Sequence, residues 1–394
     1  MNKKLWKVKR ELKRIARNSQ DFTIEMVRKV YFRRYYDYIK NKQIKRSVGA
    51  IPLGKEIAIY LIFPSKGLMD SHIYMLSELL DAGISTIVVS NIALKTSERE
   101  KILQYAARII ERPNTGYDFG GYRDGILEIS EHLSQLERVW LFNDSVWLLP
   151  QGRSWFSQAR SMNKDFVAAT SSFSVFEKSG LRIKQVEPDN YKSINWKHEP
   201  YNLNFHYASY ALCIGLSILK DSKFLTYWKN LEIRDDKKRT VRRGEIGLTR
   251  WVLRNRYSHA ATHEVHLLDE ELKALENSEL DRAAHEVILL DDPRMIPIKK
   301  KVLETDVDSA EGRRERIGFI LTATARRGSA YALALYNLRR HQFPFLKKSP
   351  LWLSVERPSE FLYFVSSLKE KESVHIPIEA QILVADRTSS YDKD

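Results

Sequence analysis

The spacing of hydrophobic positions changes near residue 55. Within residues 3–17, Leu5, Val8, Leu12 and Ile15 recur at intervals of three and four, which is the period of an amphipathic helix. After residue 55, short apolar runs rich in β-branched side chains alternate with segments of helical period. Strands that alternate with helices predict βαβ units and a mainly parallel sheet.

The pattern places elements along most of the chain. The predicted strands are Glu56–Phe63, Ile84–Ser90, Arg108–Glu111, Arg138–Phe142, Phe166–Thr170 and Ala208–Ile214. The predicted helices are Leu68–Leu80, Ser97–Ala107, 120–134, 217–230 and 243–255, and residues 310–341 are also predicted to be helical. Strand signals thin out beyond about residue 258. We therefore expect a basic N-terminal helical arm (1–50), an α/β domain with a Rossmann-like sheet (51–258) and a mostly helical C-terminal region (259–394).

The formal net charge of +15 is concentrated in the arm. Residues 1–50 hold 16 basic and four acidic side chains, whereas residues 51–394 hold 49 and 46. A nearly neutral body without a recognisable nucleic-acid module argues against a nucleic-acid partner. The cationic face of the arm predicts contact with an anionic membrane surface. The alternative is a helix packed on the body with its basic face in water.

Cysteine content and hydropathy indicate where the protein works. The single cysteine, Cys213, excludes an internal disulfide and is typical of a reducing compartment. The sequence contains no run of about 18 apolar residues, so no transmembrane helix is predicted. The basic N-terminus is not followed by the apolar stretch of a secretory signal. We expect a cytoplasmic protein, bound peripherally to the inner face of the cell membrane through residues 1–50.

A glycine-rich segment, Asn114–Gly125, follows the third predicted strand. Its four glycines allow a ligand to approach the backbone closely, and the start of the next helix offers free N–H groups to a phosphate. Asp118 and Asp124 could hold ribose hydroxyls or position a basic group. The alternative is a tight turn that caps the helix.

A polar trio, Asn143-Asp144-Ser145, follows the fourth predicted strand directly. Oxygen-bearing side chains at the C-terminal end of a strand could bind Mg²⁺ or Mn²⁺ that bridges a diphosphate. The alternative is an Asx-turn that closes the strand.

Four sequence blocks together are similar to a known family. The blocks are Asn114–Gly125, Leu141–Ser145, Ser209–Leu212 and Gly244–Thr249. They resemble the rhamnan synthesis protein F family, a branch of the nucleotide-sugar glycosyltransferases with the A-type fold. The resemblance covers about residues 56–256 and extends more weakly to Phe343–Lys348, whereas residues 1–50 lie outside it.

The resemblance implies that a sugar, with rhamnose as the candidate, is moved from a nucleoside diphosphate to a surface polysaccharide or a lipid-linked acceptor. Related A-type enzymes carry an Asp-x-Asp motif after the strand, and its second Asp binds Mg²⁺ or Mn²⁺. Here only Asp144 of the trio is a carboxylate, which leaves the need for a metal open. A glycosyltransferase-like fold that binds carbohydrate or assembles a synthesis complex without catalysis is the alternative.

The resemblance also suggests roles for single residues. Glu245, at a predicted helix start, is the candidate catalytic base, although an acid at that position also suits the helix dipole. Asp144 is the second catalytic candidate and the candidate metal ligand. His206 and Tyr207 are the acceptor candidates. The donor-binding candidates are Asn114, Gly116, Asp118, Gly120, Gly121, Arg123, Asp124, Asn143, Ser145 and Arg243.

Overall fold

The computed structural model describes ten ranges of the chain. They are residues 36–150, 152–172, 176–179, 182–196, 200–201, 205–233, 236–290, 292–354, 359–368 and 375–391. Most of the predicted arm lies outside these ranges. Its last part belongs to the body, because Tyr36 is buried and Lys45–Val48 is a strand of the central sheet.

The strands are numbered in chain order. They are β1 (Lys45–Val48), β2 (Glu56–Ile62), β3 (Ser85–Ser90), β4 (Arg108–Glu111), β5 (Arg138–Asn143), β6 (Val146–Leu148), β7 (Phe166–Ser172), β8 (Phe176–Ser179), β9 (Arg182–Gln185), β10 (His206–Tyr207), β11 (Ala211–Gly215), β12 (His259–His263) and β13 (Phe345–Lys347).

The helices are numbered in the same way. They are α1 (Asp70–Asp81), α2 (Thr96–Leu103), α3 (Tyr117–Glu128), α4 (Gly152–Ser161), α5 (Leu216–Leu219), α6 (Ser222–Asn230), α7 (Lys237–Arg243), α8 (Glu245–Arg254), α9 (Leu268–Ala274), α10 (Asn277–His285), α11 (Met295–Glu304), α12 (Ala310–Arg327), α13 (Ser329–Ala332), α14 (Ala334–His341), α15 (Pro350–Leu353), α16 (Ser359–Ser367) and α17 (His375–Tyr391).

A mainly parallel sheet forms the centre of the molecule. Its strand order within the described residues is β1-β4-β3-β2-β5-β11-β7-β10, and β12 pairs with β7. Strands β4, β3, β2 and β5 are mutually parallel, and β12 is parallel to β7. Strand β11 is antiparallel to both β5 and β7, so β5 and β7 run in the same direction. The α/β fold class with a mainly parallel sheet and a helical C-terminal region is therefore confirmed.

The six predicted strands correspond to β2, β3, β4, β5, β7 and β11 of the sheet. Strand β11 begins at Ala211 because the two preceding residues form a turn. The predicted helix over 217–230 is two helices, since the Asp221 carboxylate accepts a hydrogen bond from the Lys223 N–H at 2.8 Å and caps α6. The prediction lacks helix α4 and strands β1, β6, β8, β9, β10, β12 and β13, and β1 lies in the arm that the sequence predicts to be helical. Strand β12 lies just beyond residue 258, and the predicted division into domains stays a prediction.

Two apolar clusters cover the two faces of the sheet. On one face α3, α6 and α8 contribute Tyr122, Trp228 and Leu248. On the other face α1 and α4 contribute Leu76 and Trp155. The helical C-terminal region has its own cluster, and among the described residues no helix is both long and apolar enough to span a bilayer.

Strand β13 connects the C-terminal region to the sheet. It pairs antiparallel with β6, with Phe345 opposite Leu148 and Lys347 opposite Val146. Trp147 of β6 is fully buried, and its indole N–H donates to Glu379 Oε2 of α17 at 2.8 Å. The chain after β5 is therefore enclosed by segments that lie about 200 residues later in the sequence.

Helix α3 lies so close to β2 that a side chain is excluded at one of its glycines. A Cβ atom at Gly121 would lie 2.1 Å from Leu61 Cδ1 and 3.4 Å from Val89 Cγ1. We expect Gly121→Ala to lower the free energy of unfolding by about 1–3 kcal/mol, because overpacking a dense core displaces side chains. Urea unfolding measures the change.

Gly247→Ala in α8 is the matched control. A Cβ at Gly247 would lie 3.5 Å from the nearest atom, the Tyr227 hydroxyl. Replacing a helical glycine by alanine without a clash should stabilise by roughly 0.5–1 kcal/mol. Equal effects of the two substitutions would contradict the packing explanation.

Candidate functional site

The trio forms the turn between β5 and β6. Asn143 Oδ1 accepts hydrogen bonds from the Ser145 N–H at 3.2 Å and the Ser145 hydroxyl at 2.5 Å, which is an Asx-turn. The Asn143 amide donates to Asp118 Oδ2 at 3.2 Å. The trio thus closes the strand and also lies against the predicted glycine-rich segment.

Asp144 is held by the first turn after β2. Its Oδ2 accepts a hydrogen bond from the Phe63 N–H at 2.6 Å and lies 3.3 Å from His72 Nε2. Since His72 Nδ1 accepts from the Met69 N–H, the ring proton is on Nε2 and is donated to Asp144. Burial by itself raises the pKa of Asp144, but His72, Lys348 and the Phe63 N–H together hold it below its usual value.

Lys347, at the end of β13, reaches the trio from the C-terminal region. Its ammonium donates to the Ser145 hydroxyl at 3.0 Å and lies 4.1 Å from the centre of the Tyr210 ring. The side chain is almost fully buried. The weak family resemblance of Phe343–Lys348 is an indirect sequence signal for this lysine.

Lys348 is a second cation that the sequence analysis left without a role. Its ammonium donates to the Ser71 hydroxyl at 3.2 Å and lies 3.8 Å from Glu379 Oε2. Burial lowers the pKa of Lys348, while the charges of Asp144 and Glu379 oppose that change. His72 was likewise not predicted, because nothing local distinguishes it from any helix-start histidine.

Asp118 has an electrostatic environment opposite to that of Asp144. Burial is the main cause that raises the pKa of Asp118 to about 6, and repulsion by Asp144 adds to it. The charge of Lys347 opposes this rise, and Glu245 contributes further repulsion. Three of the predicted carboxylates, Asp118, Asp144 and Glu245, therefore affect one another at this edge of the sheet.

Glu245 is the first residue of α8. Its Oε1 accepts hydrogen bonds from the Ser209 N–H at 2.8 Å and the Ser209 hydroxyl at 2.9 Å. Its Oε2 lies 3.7 Å from His206 Nε2, and both side chains are about one-fifth exposed. The Tyr122 hydroxyl donates to the Ser209 carbonyl at 2.8 Å, so α3 and α8 are linked through Ser209.

Two predicted donor-binding residues point into the body. The Asp124 carboxylate accepts from Arg112 Nε at 2.6 Å and also from the Tyr36 hydroxyl. Arg123 donates to the Asp37 carboxylate at 2.8 Å and to the Trp228 carbonyl at 3.1 Å. These contacts favour a structural role for Arg123 and Asp124, which join α3 to the segment before β1.

The predicted glycines serve packing in this structure. Gly116 has a φ of +80° and precedes α3. A Cβ at Gly120 would lie 2.4 Å from the Thr115 carbonyl oxygen, and one at Gly121 would meet Leu61. The glycines thus permit a tight turn and a close helix–strand contact, whichever ligand binds near them.

The remaining candidates lie in three different settings. Asn114 is exposed before α3. Arg243 forms an ion pair with the buried carboxylate of Glu232. Tyr207 is buried, with its hydroxyl 2.7 Å from His259 Nδ1, so of the two acceptor candidates only His206 lies beside Glu245.

The donor atoms do not fit a resident divalent metal. Mg²⁺ and Mn²⁺ prefer several oxygen ligands. Over the parts of the chain that the structure describes, no group of three or more His, Cys, Asp or Glu side chains is arranged to hold a metal ion. Asp144 Oδ2 already accepts two hydrogen bonds, and Ser145 carries a lysine ammonium. The Mg²⁺ or Mn²⁺ that the resemblance implies therefore has no preformed set of side-chain ligands among the described residues, and no finding confirms it.

A cavity of about 460 Å³ lies elsewhere, beside the end of β12. Its lining includes Ser154, Thr262, His263, His341 and Gln342, and it contains none of the predicted site residues.

The opposite pKa shifts of two carboxylates give a test of this geometry. An acid whose pKa is raised by folding destabilises the native state above that pKa, so Asp118→Asn should stabilise the protein by about 1 kcal/mol at pH 7.5. The gain should fade as the pH falls from 6 towards 4, through the window bounded by the folded pKa of about 6.

Asp144→Asn is the companion variant. An acid whose pKa is lowered by folding contributes stability at neutral pH and loses it as the pH falls through its folded value. We therefore expect Asp144→Asn to destabilise the protein by about 1–3 kcal/mol at pH 7.5. Thermal melts of both variants over a pH series measure the two effects, and shifts of the same sign at pH 7.5 would refute the assignment.

The chain is similar in sequence to a protein of Sinorhizobium fredii. This uncharacterised protein, y4gN, is 30% identical over 248 residues, which are 62% of this chain and 57% of that protein. The chain thus spans less than two thirds of the length of this relative.

Two solved glycosyltransferases show weak structural similarity. Core-mannan synthase A of Aspergillus fumigatus, in its Mn/GDP form, matches with a TM-score of 0.25 and 8% identity, over 45% of this chain and 64% of the synthase. The mannosyltransferase PcManGT of Pyrobaculum calidifontis, in complex with GDP-Man and Mn²⁺, matches with a TM-score of 0.27 and 9% identity, over 96% of this chain and 98% of the other. Such TM-scores do not establish a shared topology, so the fold rests on the strand order above.

The family model of rhamnan synthesis protein F matches residues 86–336. This range includes the glycine-rich segment, the trio, Ser209 and Glu245, and it extends beyond β12 into the helical region. The chain belongs to the rhamnan synthesis protein F family.

Proposed function

We propose that this protein is a glycosyltransferase that moves a sugar from a nucleoside diphosphate to a glycan or lipid-linked acceptor. The observation that carries the proposal is the meeting of Glu245, Asp118 and the trio at the edge of the sheet where β2 and β5 end. Parallel α/β sheets bind ligands at this edge. Membership of the rhamnan synthesis protein F family supports the proposal and makes rhamnose the first sugar to test.

Glu245 is the base in this proposal. Its Oε1 is fixed by two hydrogen bonds from Ser209, which leaves Oε2, beside His206, to accept a proton. An acceptor hydroxyl gives its proton to Oε2 while its oxygen bonds to the anomeric carbon of the sugar. The bond from that carbon to the diphosphate breaks, and its electron pair leaves with the nucleoside diphosphate.

The other residues of the site position these groups. Asp144, together with His72, holds the turn after β2 against the turn after β5. In this proposal Asp144 therefore acts in catalysis as a positioning residue. Asp118 orients the amide of Asn143. The donor lies against the trio and the first turn of α3, and the acceptor approaches from His206.

Glu245→Gln tests the base. The amide keeps the shape and can still accept from Ser209, but it cannot take a proton. We expect kcat for sugar transfer to fall by about 10²–10⁴, the usual contribution of a general base, with the Kd for the nucleoside diphosphate unchanged. Glu264→Gln is the control, because Glu264 lies at the separate cavity. Transfer at the wild-type rate in Glu245→Gln would remove Glu245 from this role.

A carbohydrate-binding or assembly protein without catalysis is the second candidate. It is favoured by the use of both Asn143 and Ser145 in a self-contained Asx-turn. A nucleoside diphosphate that binds the native state raises the melting temperature by mass action. A panel of nucleoside diphosphates and their sugars with no such effect, together with binding of a glycan, would favour this candidate.

We also propose that the basic N-terminal arm binds an anionic membrane surface. Residues 1–35 carry 12 basic and three acidic side chains, and Tyr36, the first described residue, is buried. Attraction of this charge to anionic lipids would hold the enzyme on the inner face of the cell membrane, near lipid-linked acceptors.

Removal of residues 1–35 tests the arm without disturbing β1. We expect the full chain to sediment with vesicles that contain anionic lipid at low salt and to be released at high salt, because the attraction is screened. The shortened chain should stay in solution while its melting temperature is kept. Equal sedimentation of the two chains would contradict the proposed membrane contact.

A further inference from the structure

Lys347 is a buried cation that forms no direct ion pair with a carboxylate among the described residues. Its side chain is about 5% exposed. Among the described residues, no carboxylate oxygen lies within 4.0 Å of the Lys347 ammonium, the largest distance at which an ion pair forms. The neighbours of the ammonium are the Ser145 hydroxyl at 3.0 Å and the rings of Tyr210 and Tyr331, at 4.1 and 5.1 Å from the ring centres.

Such an environment favours the binding of an anion. A buried charge without a partner is costly, and ring faces return only about 0.5–2 kcal/mol of that cost. The adjacent Lys348 shows the contrast, since its ammonium lies 3.8 Å from Glu379 Oε2 and forms an ion pair with it. Of the two lysines, Lys347 is therefore the one whose charge an incoming anion would neutralise.

The position of Lys347 indicates which anion. Its ammonium binds the side chain of Ser145, the third residue of the trio. That third position is where the Asp-x-Asp motif of related A-type enzymes has its metal-binding carboxylate. Here a neutral hydroxyl holds a positively charged amine at the place where a carboxylate would hold a metal ion.

We propose that the Lys347 ammonium binds the diphosphate of the sugar donor and takes the place of a divalent metal, so that donor binding does not require one. This inference rests on the proposed function. When the bond from the anomeric carbon to the diphosphate breaks, the electron pair moves to the terminal phosphate oxygen. Lys347 stabilises the new charge on that oxygen by a charge-assisted hydrogen bond and transfers no proton.

The half-buried residues around Lys347 give the diphosphate a route to it. Asp118, Asp144 and Ser145 are each partly exposed, whereas Asn143 beneath them is buried. A phosphate oxygen that meets Ser145 would lie beside the ammonium. The N–H groups at the start of α3 face the same donor and add a favourable dipole.

The test is binding of nucleoside diphosphates to the full chain in excess EDTA, by calorimetry. The panel contains UDP, GDP, dTDP and the matching monophosphates. We expect at least one diphosphate to bind in EDTA, with a Kd that changes less than about threefold when Mn²⁺ replaces the chelator. Lys347→Met, which keeps the length of the side chain, should weaken diphosphate binding about 10–100-fold and monophosphate binding less, because a hydrogen bond to a charged group is lost.

Two further variants keep the result interpretable. Lys347→Arg retains the charge and should bind the diphosphate in EDTA more tightly than Lys347→Met does. This order is expected even if the loss of charge in Lys347→Met lowers the stability of the fold. Lys55→Met removes an exposed lysine far from the trio and should bind like the wild type. Circular dichroism melts report the folding of each variant.

The outcomes separate the inference from the function on which it rests. Wild-type protein that binds diphosphates only with Mn²⁺, and equally well as Lys347→Met, would overturn the inference while the proposed function stands. Wild-type protein that binds no nucleoside diphosphate with or without Mn²⁺ would overturn both. Binding in EDTA that Lys347→Met weakens and Lys347→Arg restores would support both.

Discussion

The pairing of β13 with β6 is the interaction on which the site depends. Two three-residue strands, about 200 residues apart in the chain, fix the distance between Lys347 and Ser145. Closing so long a loop costs conformational entropy, which grows only slowly with loop length. Burial of Trp147 and Phe345 in the surrounding clusters offsets that cost. The helical C-terminal region is therefore part of the candidate site, since it supplies Lys347, the buried cation beside the trio.

The central strands could be predicted because their sequences report their own burial. Strands β2 to β5 are continuous apolar runs, which is the pattern of strands covered on both faces, and their observed bounds lie close to the predicted ones. Strands β6 and β13 could not be predicted in this way. Each is three residues long, and each becomes a strand only because the other lies beside it. Their pairing depends on the tertiary fold, and the local hydrophobic periodicity of either segment does not predict it.

The site was predicted in part for the same reason. Asn143, Asp144, Ser145, Asp118 and Glu245 follow strand ends or begin helices, so local sequence marks them. Arg123 and Asp124 follow the same rule, yet the geometry turns them inward towards Asp37 and Arg112. One face of α3 meets the ligand edge and the other meets the segment before β1, and the twelve-residue helix carries polar side chains on both. A glycine-rich motif cannot distinguish these faces, because packing against Leu61 and phosphate binding both require the missing Cβ.

The charges at the edge of the sheet favour the exchange of a metal ion for Lys347 that we propose. A second carboxylate at position 145 would lie beside Asn143, which contacts Asp118, and the pKa of Asp118 is already raised to about 6 by burial and by Asp144. Such a residue would require a divalent cation to neutralise it. Serine removes one negative charge, and Lys347 adds one positive charge fixed by the backbone. In the exchange that we propose, a covalently attached ammonium takes the place of a diffusible ion, which costs no binding step and cannot be removed by a chelator. The same exchange makes the cation dependent on folding, so the affinity for a diphosphate should vary with the docking of β13 rather than with metal supply.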